Sequence, residues 1–227
     1  MTEEQRPARR SQALEPELIT DPQLKAEAEA ANGLRQYDYA VQSVYQALER
    51  HPFKLRPSLI YAFHREALQG ISGYAGLQRP AAVEIQGSKH EPVGAHLVPE
   101  LLEDLCDHVN DNWETAAPVH LAAYVMWRLN WIHPFADGNG RTSRILSFFV
   151  LSTKLGFVLP GTPTYVELVT QHRADYEDAL DQADAAWLDG ERIDVSAMEK
   201  LIGALLAKQL ARVYEMAAGP LSPVHQA

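Results

Sequence analysis

The stretch His133-Pro-Phe-Ala-Asp-Gly-Asn-Gly-Arg-Thr-Ser-Arg144 decides how the rest of the chain is read. It gathers a base, a carboxylate, a glycine turn and two guanidiniums. Gly138, Asn139 and Gly140 sit poorly in the middle of a helix but well in the loop before one. Glycines reach backbone angles closed to other residues, so successive N–H groups can aim at one point, with the positive end of the following helix behind them. Arg141 and Arg144 lie three apart and share a helix face, each offering a planar fork of donors to phosphate oxygens. Asp137 supplies the carboxylate that a phosphate-bridging Mg²⁺ needs, since that ion takes only one or two and keeps its waters. His133, with an ordinary pKa near ~6.5, suits removal of a proton from a hydroxyl at neutral pH. Pro134 and Phe135 hold the loop, one by fixing φ and one by burial.

Singly, each residue has a plainer explanation, because lone histidines, Asp-Gly turns and arginine pairs abound on ordinary surfaces. The combination points to a nucleotide-phosphate site. No G-x-x-x-x-G-K-(S/T) string occurs, which excludes a P-loop. His51-Pro52-Phe53 repeats the opening tripeptide without the glycines, carboxylate or arginines, and reads as a loop between helices.

Residues 133–144 match every fixed position of the Fic-family signature HPFx(D/E)GNGRxxR, and the resemblance extends over roughly residues 20–190. Gly76-Leu-Gln-Arg79, Val83-Glu-Ile85-Gln-Gly87 and His90-Glu-Pro92 resemble the family's flap, a β-hairpin over the nucleotide that docks the target segment. Arg173-Ala-Asp-Tyr176-Glu-Asp-Ala-Leu180 is similar to its R-x-x-Y-x-x-A-L helix. The resemblance implies a mainly α fold, the Fic helical bundle with a small β-hairpin flap over the active site. It also implies an enzyme, a protein adenylyltransferase that moves AMP from ATP, with Mg²⁺, to a Ser, Thr or Tyr hydroxyl of a target protein docked on the flap, releasing pyrophosphate.

The roles carried over are these. His133 would be the general base and Asp137 the Mg²⁺ ligand. Gly138, Asn139, Gly140 and Arg141 would form the anion hole, and Arg144 would hold the γ-phosphate. The nucleotide-binding set also takes in Phe135, Thr142 and Ser143. Glu84, Ile85, Gln86 and Gly87 of the flap, with Tyr176 and Asp184, would line the nucleoside and target side. The intact Gly-Asn-Gly-Arg core argues against the family's kinases, which move the γ-phosphate. Transfer of UMP or phosphocholine stays open, because one sequence does not define base recognition.

Many Fic proteins carry an inhibitory helix of pattern (S/T)xxxE(G/N), whose Glu pairs with the second signature arginine. The best match is Glu27-Ala-Glu-Ala-Ala31-Asn32-Gly33. With Asn32 on the last position, Ala31 stands where the inhibitory Glu is expected and Glu27 where Ser or Thr is. The chain has lost that Glu by engineering, lacks it naturally, or uses Glu29 after a local shift; otherwise the segment is a packing helix. On the first two readings the chain is active as it stands, and Ala31→Glu is expected to lower nucleotide affinity and activity.

Composition agrees. The chain has 227 residues, 46% of them apolar, and a formal charge of −10, enough core for one domain and the wrong charge for nucleic acid or an anionic membrane. The lone Cys106 forms no internal disulfide. No signal peptide or membrane span is read, so the expected location is cytoplasmic, and the same reading allows a homodimer. Residues 1–20 read as a flexible tail, 21–55 as an N-terminal helical segment, 56–190 as the catalytic domain, 191–218 as a C-terminal helix and 219–227 as a tail. Helices are expected at 22–50, broken near Gly33, and at 56–69. Val83–Ile85 is the one strand signal. Leucine stripes from Pro99 and Pro118 predict two core helices, and Ile145–Leu155, apolar nearly all round, a central buried one. Further helices are expected at 165–187 and 195–217. Three readings from other classes compete: a Fic-like binding module, against which His133 and Asp137 count; a hydrolase of the same phosphodiester, weakened by Ala31; and an unrelated metal-dependent phosphohydrolase, for which ligand spacing is lacking.

Overall fold

The computed structural model describes residues 9–12 and 18–219. Its elements run β1 (Arg10–Gln12), α1 (Pro22–Leu48), α2 (Pro57–Leu68), β2 (Glu84–Gln86), a short 3₁₀ turn (Ala95–Leu97), α3 (Val98–Asp111), α4 (Pro118–Ile132), α5 (Asn139–Leu155), α6 (Tyr165–Gln171), α7 (Arg173–Leu188) and α8 (Ser196–Ala218).

The helices start where local chemistry demands. Pro22, Pro57, Pro99 and Pro118 all occupy the first turn of a helix, where a missing N–H costs nothing. Asp21 caps α1 by accepting from Gln23 N and Leu24 N, both at 2.9 Å. Thr164 and Glu167 form a reciprocal capping box on α6.

Helix α1 continues through Gly33, against the expected break. Gly33 is exposed, so its cost of about 1 kcal/mol relative to Ala is outweighed by the face on either side of it. That face seats Asn32, Gln36, Ala40, Ser43 and Val44. Asn32 Nδ2 donates to the carbonyls of Ala67 (3.2 Å) and Gln69 (2.9 Å), and Gln36 Nε2 to that of Phe63 (3.0 Å). Buried amides thus satisfy carbonyls of α2 and its end. The helix expected over 165–187 is two, because the chain turns at His172 between α6 and α7.

Helix α5 is the axis of the bundle, buried at every position from Ile145 to Thr153 and packed against α1, α2, α4 and α6. Phe148, wholly buried, meets Tyr37 of α1. Helix α4 is joined to α7 by Trp127 Nε1 donating to Asp184 Oδ1 at 2.8 Å. The Arg128 guanidinium lies 4.2 Å from the ring centroids of both Trp131 and Trp187.

The small sheet differs from expectation. The flap strand β2 pairs antiparallel with β1, in register Arg10↔Gln86, Ser11↔Ile85 and Gln12↔Glu84, and not with a second strand of its own. A segment whose charge and proline content suggest a tail therefore includes a strand at Arg10–Gln12. The C-terminal tail lies almost wholly outside the described residues. No helix among the described residues is long and apolar enough to cross a membrane.

Candidate active site

Helices α4 and α5 form a hairpin, and the loop between them is the site. His133 caps α4 with left-handed backbone angles (φ 52°, ψ 58°), a conformation that L residues other than glycine and asparagine seldom adopt and that clusters at functional positions. Two backbone contacts hold it there. Its N–H donates to Leu129 O at 2.9 Å. Its carbonyl accepts from Arg79 Nε at 2.7 Å. Arg79, 1% exposed, also gives its remaining guanidinium nitrogens to the carbonyls of Ala81 and Val93.

Asn139 then closes the loop. Its Oδ1 accepts from Phe135 N at 2.9 Å and its Nδ2 donates to Phe135 O at 2.8 Å. Phe135 lies fully buried against His64 of α2, the rings parallel within 2° at 3.7 Å. His64 Nε2–H donates to Asp137 O at 3.0 Å while Nδ1 accepts from Gly76 N at 2.9 Å, which fixes a neutral imidazole. Gly138 (φ 78°) begins α5, and a Cβ there would stand 2.5 Å from Leu68 Cδ2, so backbone angle and space both require glycine.

The loop opens onto a cavity of about 780 Å³, within the usual size of small-molecule sites. His133, Asp137, Gly138, Asn139, Gly140, Arg141 and Arg144 line one side. Asp137 Oδ1 accepts from Gly138 N at 2.6 Å and Oδ2 from Arg141 at 2.7 Å. The first-turn N–H groups of α5 have no partner within the helix. Arg144, its pKa lowered by burial, is hydrogen-bonded to Tyr176, and among the described residues no carboxylate pairs with it. An un-neutralised guanidinium beside a helix N-terminus is a site for an anion.

His133 Nδ1 lies 3.2 Å from Asn130 O. A proton on Nδ1 leaves the Nε2 lone pair aimed at the cavity. Burial above all, with His90 and Arg79 adding to it, pushes this imidazole down to about 4, so it is neutral at physiological pH. Nε2 lies 2.7 Å from Ser11 Oγ on β1.

The residues expected at the site divide into two sets. Tyr176 and Asp184 line the cavity, as does Ile85 of the flap. Asp184 is held by Trp127 and by His90 Nδ1 at 3.5 Å, and burial raises its pKa. Glu84 and Gln86 are exposed and do not line the cavity, since alternate strand residues face opposite sides, and neither does exposed Gly87, which turns the chain just past the strand with φ 76°. Phe135, Thr142 and Ser143 are buried beneath the cavity. Thr142 Oγ1 donates to Gly138 O at 2.9 Å and Ser143 Oγ to Gly140 O at 3.1 Å, so they brace the helix start and do not line the cavity. Asn139's side chain is likewise spent on Phe135.

The regulatory reading changes too. Helix α1 presents Pro22, Lys25, Ala26 and Glu29 to the cavity, one face of 3.6 periodicity. Ala31 is exposed and off that face, Asn32 clasps α2, and Glu27 bonds Gln23 at 3.1 Å. The acidic residue reaching the site is Glu29, whose Oε1 lies 3.4 Å from Arg141 Nη1. A glutamate at 31 would point away from the cavity.

Sequence reasoning did not find His64, Asn130 or β1. Asn130 Nδ2 lies 2.7 to 2.9 Å from Met126 O, Ser143 Oγ and the Tyr176 hydroxyl. Its place three residues before His133 on one helix was the available signal. His64 and Ser11 had none, because their partners are distant in the chain.

Residues 54–151 match the model of the Fic/DOC family. A curated relative, the protein adenylyltransferase fic-1 of Caenorhabditis elegans, is 31% identical over 122 residues, covering 53% of this chain and 22% of the relative. The chain thus spans less than a quarter of that protein's length. A Fic domain containing signaling protein from Bacteroides thetaiotaomicron shares the fold, with TM-score 0.65 and 21% identity over 83% of this chain and 72% of that one. The BepC protein of Bartonella tribocorum, whose structure has AMPPNP bound, aligns with TM-score 0.53 and 16% identity over 82% of this chain and 88% of that one.

Two predictions follow from these contacts. The folded state keeps His64 neutral, its pKa lowered to about 4 by burial against about 6.5 when unfolded. Its contribution is therefore fully present above pH ~6.5 and is lost as pH falls toward 4, by about 3 kcal/mol. In thermal melts, His64→Gln lowers Tm at pH 7.5, and the gap to the parent chain narrows by pH 4.5. In nucleotide titrations, Glu29→Gln, by releasing Arg141, tightens triphosphate binding about two- to fivefold, the size of a partly exposed ion pair, whereas Ala31→Glu leaves it unchanged.

Proposed function

We propose, from the match of residues 54–151 to the Fic/DOC family model, that this chain is a nucleotidyltransferase that moves AMP from ATP to a Ser, Thr or Tyr hydroxyl of a protein and releases pyrophosphate. The observation that carries the reading is the juxtaposition of a neutral, buried His133 with the α5 N-terminus and with Arg144, which has no carboxylate partner among the described residues. A base for a hydroxyl and a cradle for phosphates open on one cavity.

In this reading the N–H groups of Gly140 and Arg141 and the guanidiniums of Arg141 and Arg144 receive the phosphate oxygens. Gly138, lacking a Cβ, lets the chain turn tightly under them. His133 Nε2 takes the proton of the incoming hydroxyl as its oxygen attacks the α-phosphorus, and the bond to pyrophosphate breaks. The proton ends on the imidazole, stabilised by the Asn130 carbonyl at Nδ1. Positioning and fixed dipoles account for most of the rate.

No cluster of three or more His, Cys, Asp or Glu side chains that could hold a metal occurs among the described residues. Asp137, half-exposed at the cavity, nevertheless fits an ion whose other ligands are phosphate oxygens and water. Mg²⁺ bound there would neutralise phosphate charge. The fic-1 relative's name as a protein adenylyltransferase and the AMPPNP in BepC support ATP as the nucleotide. The pairing of the flap strand with β1 supports docking of a target segment in that place by backbone pairing.

The test is labelling of lysate proteins with ATP carrying label at the α-phosphate, in Mg²⁺. Transfer is expected with the parent chain and to fall by at least ~10²-fold in His133→Ala, the usual worth of a general base. Arg144→Ala should raise the KM for ATP about tenfold or more, the loss of a charge-assisted bond. Label that appears from γ-labelled ATP alone would overturn the proposal in favour of phosphoryl transfer.

A further inference from the structure

The strand seated on the flap belongs to this chain. Ser11 sits opposite Ile85 in the β1–β2 register, and since side chains alternate along a strand, both face the cavity they line. The Ser11 Oγ–His133 Nε2 distance of 2.7 Å is that of a hydroxyl donating to a base. Upstream, Arg9 binds α7: its Nη2 donates to both carboxylate oxygens of Asp181, at 2.8 and 2.7 Å, and its Nε lies 3.7 Å from Glu177 Oε2. Glu177 and Asp181 stand one turn apart on one face of α7. The segment is thus held by backbone pairing at one end and, at the other, by an ion pair in which one guanidinium nitrogen meets both carboxylate oxygens.

The cavity persists with this strand in place, since its 780 Å³ is bounded partly by Arg9 and Ser11 themselves. The strand forms a wall at the His133 end and leaves the α5 N-terminus, Arg141 and Arg144 open to the same space. The residues that hold the strand are thus distinct from the guanidiniums and N–H groups to which the proposed function assigns the phosphates.

We propose that Ser11 is a self-modification site, and that the acidic face of α7 selects acceptors with a basic residue two positions before the hydroxyl. The inference rests on the nucleotidyl transfer argued above. With a nucleoside triphosphate in the cavity, Ser11 Oγ attacks the α-phosphorus, its proton passes to His133 Nε2, and the bond to the pyrophosphate oxygen breaks. The products are a phosphodiester on Ser11 and free pyrophosphate. In the geometry described, the reaction is intramolecular and its rate constant is independent of protein concentration.

The experiment incubates the full chain with Mg²⁺ and α-labelled ATP, alone and in cell lysate, followed by peptide mass mapping. One AMP is expected on the peptide containing Ser11, with first-order kinetics unchanged on tenfold dilution. Ser11→Ala should remove the label and Ser11→Thr, which keeps a hydroxyl in the strand, should retain it. Arg9→Glu should slow self-labelling about tenfold. Label on lysate proteins with none on the parent chain, or label on the chain that survives Ser11→Ala, overturns the inference and leaves the transferase reading standing. Faster labelling of lysate proteins by Ser11→Ala, with the parent chain never labelled, also overturns it and makes β1 a plug. No label on any protein from either chain overturns the transferase reading and this inference with it.

Discussion

The site depends on one side chain, Asn139, that bonds to both backbone groups of a residue four positions before it. By closing on the N–H and carbonyl of Phe135, it converts the link between α4 and α5 into a rigid clasp. Without that clasp, His133 at the end of one helix and Gly138 to Arg144 at the start of the next would have no fixed relation. The clasp in turn needs a seat for Phe135, which His64 provides by stacking, and a fixed carbonyl at His133, which Arg79 provides. Buried polar groups that are fully satisfied are costly to rearrange, so the loop's geometry is held by the packing of α2, the flap and α4 together.

The electrostatics are local and run against the whole molecule. The chain carries ten net negative charges, yet the phosphate end of the cavity is bounded by Arg141, Arg144 and a helix N-terminus. Acidic side chains of α7 stand elsewhere around it: Glu177 and Asp184 line the cavity, and Asp181 binds Arg9. Charge is mixed along the cavity: Asp137 and Glu29 pair with Arg141 at the α5 end, Arg9 pairs with the acids of α7, and Arg144 alone of these guanidiniums has no carboxylate partner among the described residues.

The residues of 133–144 were legible in the sequence because their chemistry is local. A glycine turn, a following helix and two arginines three apart identify one another without long-range information. The core helices were legible for the same reason, through proline at their starts and leucine stripes along them. Gly33 misled because a propensity of about 1 kcal/mol is small beside a buried face whose partners are on α2. Ala31 misled because a pattern fixes spacing along the chain, whereas facing is set by how α1 lies on the bundle, and that orientation points Glu29 inward. Phe135, Thr142 and Ser143 share a signature with the ligand-facing residues but serve the backbone. A motif names residues that are needed together and does not say which of them touch.

Strand β1 was illegible for a deeper reason. Composition assigned its neighbourhood to a tail, and by propensity a three-residue strand has no independent stability. What orders Arg10–Gln12 is an edge distant in the chain, the backbone of Glu84–Gln86 with which it pairs, together with acids on α7 that bind Arg9. An exposed edge accepts any chain that can reach it in extended form, so the flap's own side chains carry little of the choice. Selection passes to what flanks the paired residues: the requirement for a hydroxyl at the position over His133, and for positive charge where α7 is negative. The same features that seat the chain's own segment are therefore those that a foreign acceptor must imitate, and a tethered segment holds the advantage of effective concentration over any that arrives from solution.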